Sequence, residues 1–521
     1  MKYKVILPAL LVFAFFYRLY GLGNNYSFWS DEGHVAIFSR AILETGRPVL
    51  KNGLSTGWYQ WLLYWIGAGS AKIFGLNEFA LRFPSVVFGS LTVLAVYWLG
   101  KVLFSTSEES KPTSEVEYIP LLAAFLTAFL KIEILWSRQA RPYQALQFFF
   151  VMGAYFLYKI LDIRYKKLKS RNLEIVGFLL CAVCASLFHG LGLVLFFDGI
   201  LFLILTNFKK LKKTFLLVLP LFLVLVFLFR DSLISTFSFV GKINNLYYYR
   251  VFLTKNYLIL GILGGLGGLG LILRREFKKL FLFIIFLGTQ IFIVSFVLGQ
   301  PFIRYIYIVF PFLILLAFFG VNELTSCALR VINKGKIAKL LNCQIVKELG
   351  GLRNFIFVFF AVVLAGSLYV KGKLDLWPQA IYSLNEDMQE VPEVDWKKIY
   401  EFVGEKLKDN KDAVLITNWN DLPVWYLGEG RLNYIVQNWV TKDDKDPVSG
   451  AKIINSLEEF KEVLTKEKSG YFILDSWDDQ IPDGVREYCH QNLKREFEID
   501  RLYPVQPRYW TVWVYSWQSQ E

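Results

Sequence analysis

Long apolar stretches recur along the first 370 residues, separated by short polar loops. A helix that crosses a bilayer needs about 17–25 predominantly apolar residues, and eleven stretches approach or meet this length. They cover residues 5–22, 79–104, 118–135, 143–161, 174–189, 191–206, 214–230, 256–273, 279–298, 303–320 and 354–370. The pattern therefore predicts a polytopic all-α membrane domain over residues 1–370, with about eleven transmembrane helices.

Composition changes this picture only by adding a charge asymmetry. Hydrophobic residues make up 55% and charged residues 19% of the 521 residues, whereas soluble proteins carry about 25% charged residues. These values exclude a disordered chain and a disulfide scaffold, and disfavour a cytosolic enzyme. The net charge is +22 over residues 1–370 and −9 over residues 371–521. Because residues 1–370 are so apolar, their positive charge does not indicate a nucleic-acid binder.

The basic residues predict the orientation in the membrane. If the eleven helices alternate in direction, Lys2, Lys4 and four basic clusters fall on one side. The clusters lie at residues 164–171, 209–213, 274–279 and 330–353. Cytoplasmic loops are enriched in Lys and Arg. The sequence therefore predicts a multi-pass protein of the cytoplasmic membrane, with a cytoplasmic N-terminus and an extracytoplasmic C-terminal part.

The apolar and aromatic residues 57–74 do not fit this scheme as a span, because a further span would move the basic clusters outside. We predict instead that residues 34–45 and 57–74 form helices in the outer interface. Both belong to the first external loop, residues 23–78, whose tryptophans and tyrosines suit that depth. An ordinary span with a missed partner is the alternative.

Residues 371–521 read as a small extracytoplasmic α/β domain. Amphipathic periodicity predicts helices, and short apolar or alternating runs predict strands. The helices are expected at 394–407 and 457–464, and the strands at 414–417, 471–474 and 509–517. Cys489 is the one cysteine in this part of the sequence, so no internal disulfide is expected there.

Candidate chemistry gathers at the predicted outer mouths of the helices. Asp31 and Glu32 follow the first span, and their side chains suit a general base or a metal ligand; surface charge or helix capping is the alternative. Arg138 and Arg141 lie where the positive-inside rule predicts few cations. A guanidinium binds phosphate well, although snorkelling toward lipid headgroups also explains these arginines.

Two further outer mouths carry polar residues. His189 marks a tight turn between two spans, where a structural role and a substrate contact are both open. Arg304 and Tyr305 follow Gln300–Pro301 at the outer end of a later span.

Residues 1–321 resemble the GT-C superfamily of membrane glycosyltransferases, which use polyprenyl-phosphate sugars. Within it they are most similar to the protein O-mannosyltransferases and the lipid A aminoarabinose transferases. The matching features occur in the family's order. They are Asp31–Glu32–Gly33 with Ala36, Arg40, Ala41 and Gly46; the aromatic interface helix; residues 74–85; residues 137–143; and Arg304–Tyr305.

The resemblance implies an inverting transfer from a polyprenyl-phosphate sugar to an acceptor hydroxyl at the outer membrane face. Asp31 would accept the proton of that hydroxyl, and Glu32 and His189 would orient Asp31 or substrate. The phosphate would be held by arginines, with further residues binding substrate. These candidates are Arg138, Arg141, Tyr143, Arg304, Tyr305, His34 and Tyr59.

The resemblance leaves the acceptor and the metal requirement open. Some relatives use a divalent metal near the acid, but this sequence has no dedicated metal-ligand spacing. The family's P-P-L-x-Y-like stretch before the interface helix is replaced by Ser55–Thr56–Gly57–Trp58–Tyr59. Since that stretch helps to shape the acceptor site, the acceptor is a lipid, a glycan or a protein.

Two other classes of function compete with an enzyme. A flippase or transporter of a lipid-linked glycan would also be basic, aromatic and polytopic. Transporters often carry paired repeats with broken helices, and the glycine-rich residues 261–270 have no counterpart elsewhere in the sequence. A non-catalytic relative whose external domain binds glycan is the third reading, and retention of Asp31 with the arginine motif argues against it.

Overall fold

The computed structural model describes most of the chain as a helical bundle followed by an α/β domain. The described residues are 3–23, 27–58, 60–104, 118–161, 168–207, 242–334, 351–380, 394–439, 443–500 and 511–518, with a few further positions between 219 and 234 and at 382 and 441. The bundle helices are α1 (Tyr3–Leu19), α2 (Ser30–Thr45), α3 (Trp61–Phe74), α4 (Glu78–Phe104), α5 (Tyr118–Phe129), α6 (Lys131–Trp136), α7 (Tyr143–Leu161), α8 (Leu168–Phe188), α9 (Leu193–Asn207), α10 (Leu246–Leu273), α11 (Phe277–Phe296), α12 (Ile303–Ile306), α13 (Phe310–Lys334) and α14 (Leu352–Val370).

The bundle is that of a multi-pass membrane protein, as the sequence predicts. Within the described ranges, five helices are long and apolar enough to cross a membrane: α4, α10, α11, α14 and the stretch 303–332 that holds α12 and α13. Four shorter apolar helices accompany them. The count of eleven spans stays a prediction, and the span expected at 214–230 lies largely outside the described residues.

Helices α2 and α3, which lie between α1 and α4 in the sequence, pack against each other. Helix α3 has 14 residues, about 21 Å at 1.5 Å per residue, which is short of the roughly 30 Å hydrocarbon core. One side of α3 is buried against α2, where the Ser39 hydroxyl donates to the Tyr64 carbonyl at 3.2 Å. The placement of α3 in the outer interface stays a prediction.

One predicted helix is interrupted. The sequence predicts a continuous span over 118–135, but the structure breaks it at Leu130, whose backbone is extended. The cause is pairing with the chain that follows α14: the Lys131 N–H donates to the Lys373 carbonyl at 2.9 Å, and the Asp375 N–H donates to the Phe129 carbonyl at 2.9 Å. The break gives the mouth its own short helix, α6.

The C-terminal domain confirms the predicted α/β class. Its six strands lie in the order β3-β2-β1-β4-β6-β5, with β1 to β4 parallel and β6 antiparallel to its two neighbours. The elements are α15 (Trp396–Asp409), β1 (Val414–Thr417), α16 (Asp421–Tyr426), β2 (Tyr434–Val436), β3 (Lys452–Ile454), α17 (Leu457–Lys466), β4 (Ser469–Asp475), α18 (Val485–Asn492), β5 (Lys494–Ile499) and β6 (Val512–Gln518).

The hydrophobic core of this domain continues into the bundle. Leu415 and Ile473 from the sheet belong to the same buried cluster as Phe28, Ala36 and Leu81. The C-terminal domain is therefore packed onto α2 and the N-terminal part of α4, which brings it next to the region where the sequence places the chemistry.

Candidate active site

The site is centred on Asp31, in the first turn of α2. Its carboxylate oxygen Oδ2 lies 2.9 Å from Nη2 of Arg141 and 3.4 Å from Nη1 of Arg304. The Asp31 side chain is 44% exposed, whereas the side chains of Arg141 and Arg304 are 1% and 12% exposed. An accessible carboxylate is thus backed by two desolvated cations, and the helix N-terminus adds a further positive end.

Aromatic rings hold the two arginines in place. The Arg141 guanidinium carbon lies 3.8 Å from the centre of the Trp29 ring, and Trp136 lies on another side at 5.6 Å. The Arg304 guanidinium lies 3.8 Å from the centre of the Phe302 ring. Such contacts fix the guanidinium planes and leave their edges for hydrogen bonds.

Two donors beside Asp31 lack acceptors. Nε of Arg141 and Nε1 of Trp29 are buried, and neither has a hydrogen-bond partner among the described residues. Buried polar groups are nearly always hydrogen-bonded, so unsatisfied donors on stacked groups indicate a place for an acceptor from outside the chain. The net charge of Asp31, Arg141 and Arg304 is +1, which favours an anion there.

The pKa of Asp31 is the outcome of opposed effects. Desolvation by the surrounding protein raises it, but the cations of Arg141 and Arg304 lower it more, with smaller contributions from His34 and His189, so its pKa lies below the ordinary value. Asp31 is therefore a carboxylate near neutral pH and able to accept a proton.

Glu32 occupies a different environment from its neighbour. It is buried and forms a bidentate ion pair with Arg82, at 2.8 Å to Nε and 2.7 Å to Nη2. It also accepts from the Ala140 N–H at 2.8 Å. The sequence predicts a catalytic or orienting role for Glu32. In the structure Glu32 is buried, and its hydrogen bonds link α2 to α4 and to the loop that carries Arg141.

Arg138 also differs from its predicted place. Its guanidinium is buried, and it donates to the carbonyls of Arg18, Tyr20 and Ala380 at 2.8, 2.6 and 2.7 Å. Three carbonyl acceptors explain why this cation is tolerated inside the protein. The geometry turns it toward the end of α1 and the segment that follows α14, and its predicted contact with the donor phosphate stays a prediction.

His189 lies with Tyr143 and Tyr305 in one aromatic group. Its ring centre is 5.5 Å from Tyr143 and 6.3 Å from Tyr305, and the two tyrosines are 6.0 Å apart. Nδ1 of His189 accepts from the Leu191 N–H at 3.1 Å.

Two of the predicted substrate-binding residues remain. His34 packs beside Phe38 at 4.9 Å between ring centres and faces Tyr64. Burial lowers the pKa of His34 despite the attraction of Asp31. Tyr59 lies outside the described residues, so its predicted contact with substrate stays a prediction.

The donor set suits an anion better than a divalent cation. Among the residues with described positions, no group of three His, Cys, Asp or Glu side chains lies close enough to hold a metal. One of the two carboxylate oxygens of Asp31, Oδ2, is already shared by two guanidiniums.

Two residues that hold the site in place, Trp29 and Arg82, were not predicted from the sequence. Arg82 lies in a stretch that the motif comparison includes, and Trp29 lies two residues before Asp31, but their roles depend on which side chains the fold brings together. The Trp29 ring covers Arg141, and Arg82 lies 50 residues beyond Glu32 in the chain. A lone arginine in an apolar helix is the one sequence signal that could have indicated a buried partner for Glu32.

The bundle and the C-terminal domain packed on it together have the GT-C fold of membrane glycosyltransferases. The crystal structure of ArnT from Cupriavidus metallidurans superposes with a TM-score of 0.61 over 99% of this chain and 98% of that chain, at 13% identity. The Archaeoglobus fulgidus oligosaccharyltransferase gives a TM-score of 0.51 over 90% of this chain and 69% of that chain, at 12% identity. The predicted fold is confirmed.

Sequence comparison points in the same direction. Residues 61–230 match the family model described as dolichyl-phosphate-mannose-protein mannosyltransferase. Two curated relatives are undecaprenyl phosphate-alpha-4-amino-4-deoxy-L-arabinose arabinosyl transferases. The one from Aeromonas hydrophila is 28% identical over 119 residues, and the one from Yersinia enterocolitica is 31% identical over 121 residues. Each match spans 22% of this chain and 22% of the relative's length.

Proposed function

We propose that the chain is an inverting glycosyltransferase that moves a sugar from a polyprenyl-phosphate donor to an acceptor hydroxyl at the outer face of the cytoplasmic membrane. The observation that carries the proposal is the partly exposed Asp31 carboxylate, backed by the buried Arg141 and the largely buried Arg304 and beside two donors without acceptors among the described residues. The names of the similar family and of the curated relatives, which are transferases for lipid-phosphate sugars, support it.

Asp31 acts as the general base in this proposal. The acceptor hydroxyl attacks the anomeric carbon while its proton passes to the carboxylate of Asp31. A new carbon–oxygen bond forms on one face of the sugar, and the bond to the donor phosphate oxygen breaks on the other. The polyprenyl phosphate leaves with the bonding electron pair, and the single displacement inverts the anomeric centre.

The arginines stabilise the charge that develops on the leaving group. The donor phosphodiester carries one negative charge, and the released phosphate monoester carries about 1.5 to 2 at neutral pH. Arg141 and Arg304 give the site a net +1 around Asp31, and preorganised donors of this kind act most strongly where water is excluded. The increase in charge during the reaction means that they bind the transition state better than the donor.

The test is sugar transfer in proteoliposomes that contain purified protein, a panel of radiolabelled polyprenyl-phosphate sugars and crude envelope acceptor. We expect label from one donor to enter a new glycoside, and none from the corresponding nucleotide sugar. Movement of the labelled lipid across the bilayer without a new glycoside would indicate a flippase. Binding of glycan with neither signal would indicate the non-catalytic reading.

Replacing Arg304 with Gln tests the electrostatics of the site. A hydrogen bond to a charged group contributes about 1.5–3 kcal/mol, so the KM for the donor should rise by roughly 10- to 100-fold. Because Arg304 lowers the pKa of Asp31, its loss raises that pKa, and the acidic limb of the kcat profile should move to higher pH. The measurement is kcat and KM against pH.

Arg47→Gln is the matched control, since Arg47 is an exposed arginine just beyond α2. It should leave both quantities unchanged. An acidic limb that stays in place in Arg304→Gln would contradict the assignment of that limb to Asp31.

A further inference from the structure

Helix α2 is held on its outer side by a short helix from the external domain, α16. Gly33 lies at the contact: a Cβ atom there would be 3.1 Å from Cδ2 of Leu422 and 3.6 Å from Cγ of Asp421. Ala36 and Leu422 are both fully buried in the cluster that joins the two parts of the chain. Small residues on α2 therefore let α16 approach its surface closely.

Arg40 on α2 also binds α16 through its guanidinium. Its Nη2 donates to the Val424 carbonyl at 2.7 Å and its Nη1 donates to the Trp425 carbonyl at 3.2 Å, while the guanidinium lies 5.5 Å from the centre of the Trp425 ring. Carbonyls in the last turn of a helix have no partner within the helix, and a cation there is favourable. Arg40 thus binds the end of α16 through two hydrogen bonds and a stacked ring.

The face that receives α16 is roughly opposite the face that carries Asp31. Gly33, Ala36 and Arg40 follow the spacing i, i+3, i+7 and share one side of the helix. At about 100° per residue, Asp31 points away from that side. A change in how closely α16 packs on α2 would therefore change the distance between Asp31 and Arg141.

A second contact reinforces the same arrangement. The hydroxyl of Tyr426, in α16, accepts from the Phe28 N–H at 2.8 Å. Phe28 lies three residues before Asp31, so α16 contacts both the helix and the segment that leads into it.

We propose that Arg40 is a positioning residue, through which the external domain holds α2 at the rotation that places Asp31 beside Arg141. The external domain is then a working part of the active site. This inference rests on the proposed function, because it assigns Arg40 an effect on the base of that reaction.

The chain offers a matched control in Asn52. Its Nδ2 donates to the carbonyls of Pro447 and Val448 at 2.8 and 3.0 Å, so it also ties the first external loop to the external domain. Asn52 follows α2 and does not lie on its α16-facing side. A variant at Asn52 weakens the attachment of the domain without loosening α2.

The experiment compares Arg40→Gln, Arg40→Lys and Asn52→Ala with the wild type in proteoliposomes, measuring kcat, both KM values and the pH dependence of kcat. A displacement of about 1 Å costs roughly 10²-fold in rate, and we expect a loss of about that size in Arg40→Gln. Its acidic limb should also move to higher pH, since Asp31 leaves the field of Arg141. Arg40→Lys should recover part of the loss, and Asn52→Ala should behave as wild type.

Three results would overturn the inference. In the first, Arg40→Gln keeps the wild-type kcat and acidic limb. In the second, Asn52→Ala shows the same changes as Arg40→Gln. Arg40 would then only help to attach the domain and would have no specific effect on the position of Asp31. In the third, kcat falls while the acidic limb stays in place, in Arg40→Gln or, where that variant fails to fold, in Arg40→Lys. Absence of transfer in the wild type would instead reject the proposed function.

Discussion

Replacing Asp31 with Asn should abolish sugar transfer, with kcat lower by at least about 10²–10⁴-fold, the range that general-base catalysis contributes. Asn has the same shape as Asp but does not accept a proton at neutral pH. The variant also releases Arg141 and Arg304 from their ion pairs, so donor binding should persist or tighten. The measurements are transfer in proteoliposomes and binding of a radiolabelled donor.

Glu462→Gln is the control for this prediction, because Glu462 is an exposed acid on α17, away from the site. It should transfer sugar at the wild-type rate. Transfer at that same rate by Asp31→Asn would remove Asp31 as the base. Loss of both transfer and donor binding would point to a structural or donor-binding role.

Replacing Glu32 with Gln should destabilise the protein and reduce transfer together. Breaking a buried ion pair by removing one partner costs about 3–5 kcal/mol, and Gln leaves the buried Arg82 guanidinium without its counter-charge. The Ala140 N–H also loses a charged acceptor, which frees the loop that presents Arg141. Thermal unfolding in detergent and transfer assays on the same preparation measure the two effects.

The double variant Glu32→Gln with Arg82→Met separates the possible roles of Glu32. Removing both charges relieves the unpaired cation, so the double variant should be more stable than Glu32→Gln alone. If Glu32→Gln instead keeps the wild-type unfolding temperature and loses all transfer, Glu32 takes part in catalysis, as the sequence predicts.

Much of the architecture could be predicted because it follows from hydrophobic length and period. The helices at the predicted positions 79–104 and 354–370 appear as α4 and α14, and the strand at 414–417 is β1. The three-residue strands β2 and β3 were missed, because three residues are too few for alternation to show. The break at Leu130 was also missed, since it depends on pairing with residues more than 240 positions later.

The candidate site was predicted as a set of residues, but their separate roles could not be. Asp31 and Glu32 are adjacent in sequence, but successive residues of a helix differ by about 100° in direction. Asp31 therefore faces Arg141 and Arg304, and Glu32 faces Arg82. Arg138 and Arg141 share one loop and point to different surroundings. Sequence proximity does not determine which member of such a pair is exposed to substrate, because tertiary contacts decide it.

The contact between α2 and α16 has a consequence for biosynthesis. Arg40 and Val424 are 384 residues apart, and chains grow at about 5–20 residues per second, so α2 exists for roughly 20–80 s before its partner is made. During that interval the bundle helices enter the membrane with the Asp31 helix unsupported. On the proposed role of Arg40, the nascent protein acquires its complete site only after the C-terminal domain has been made and has folded.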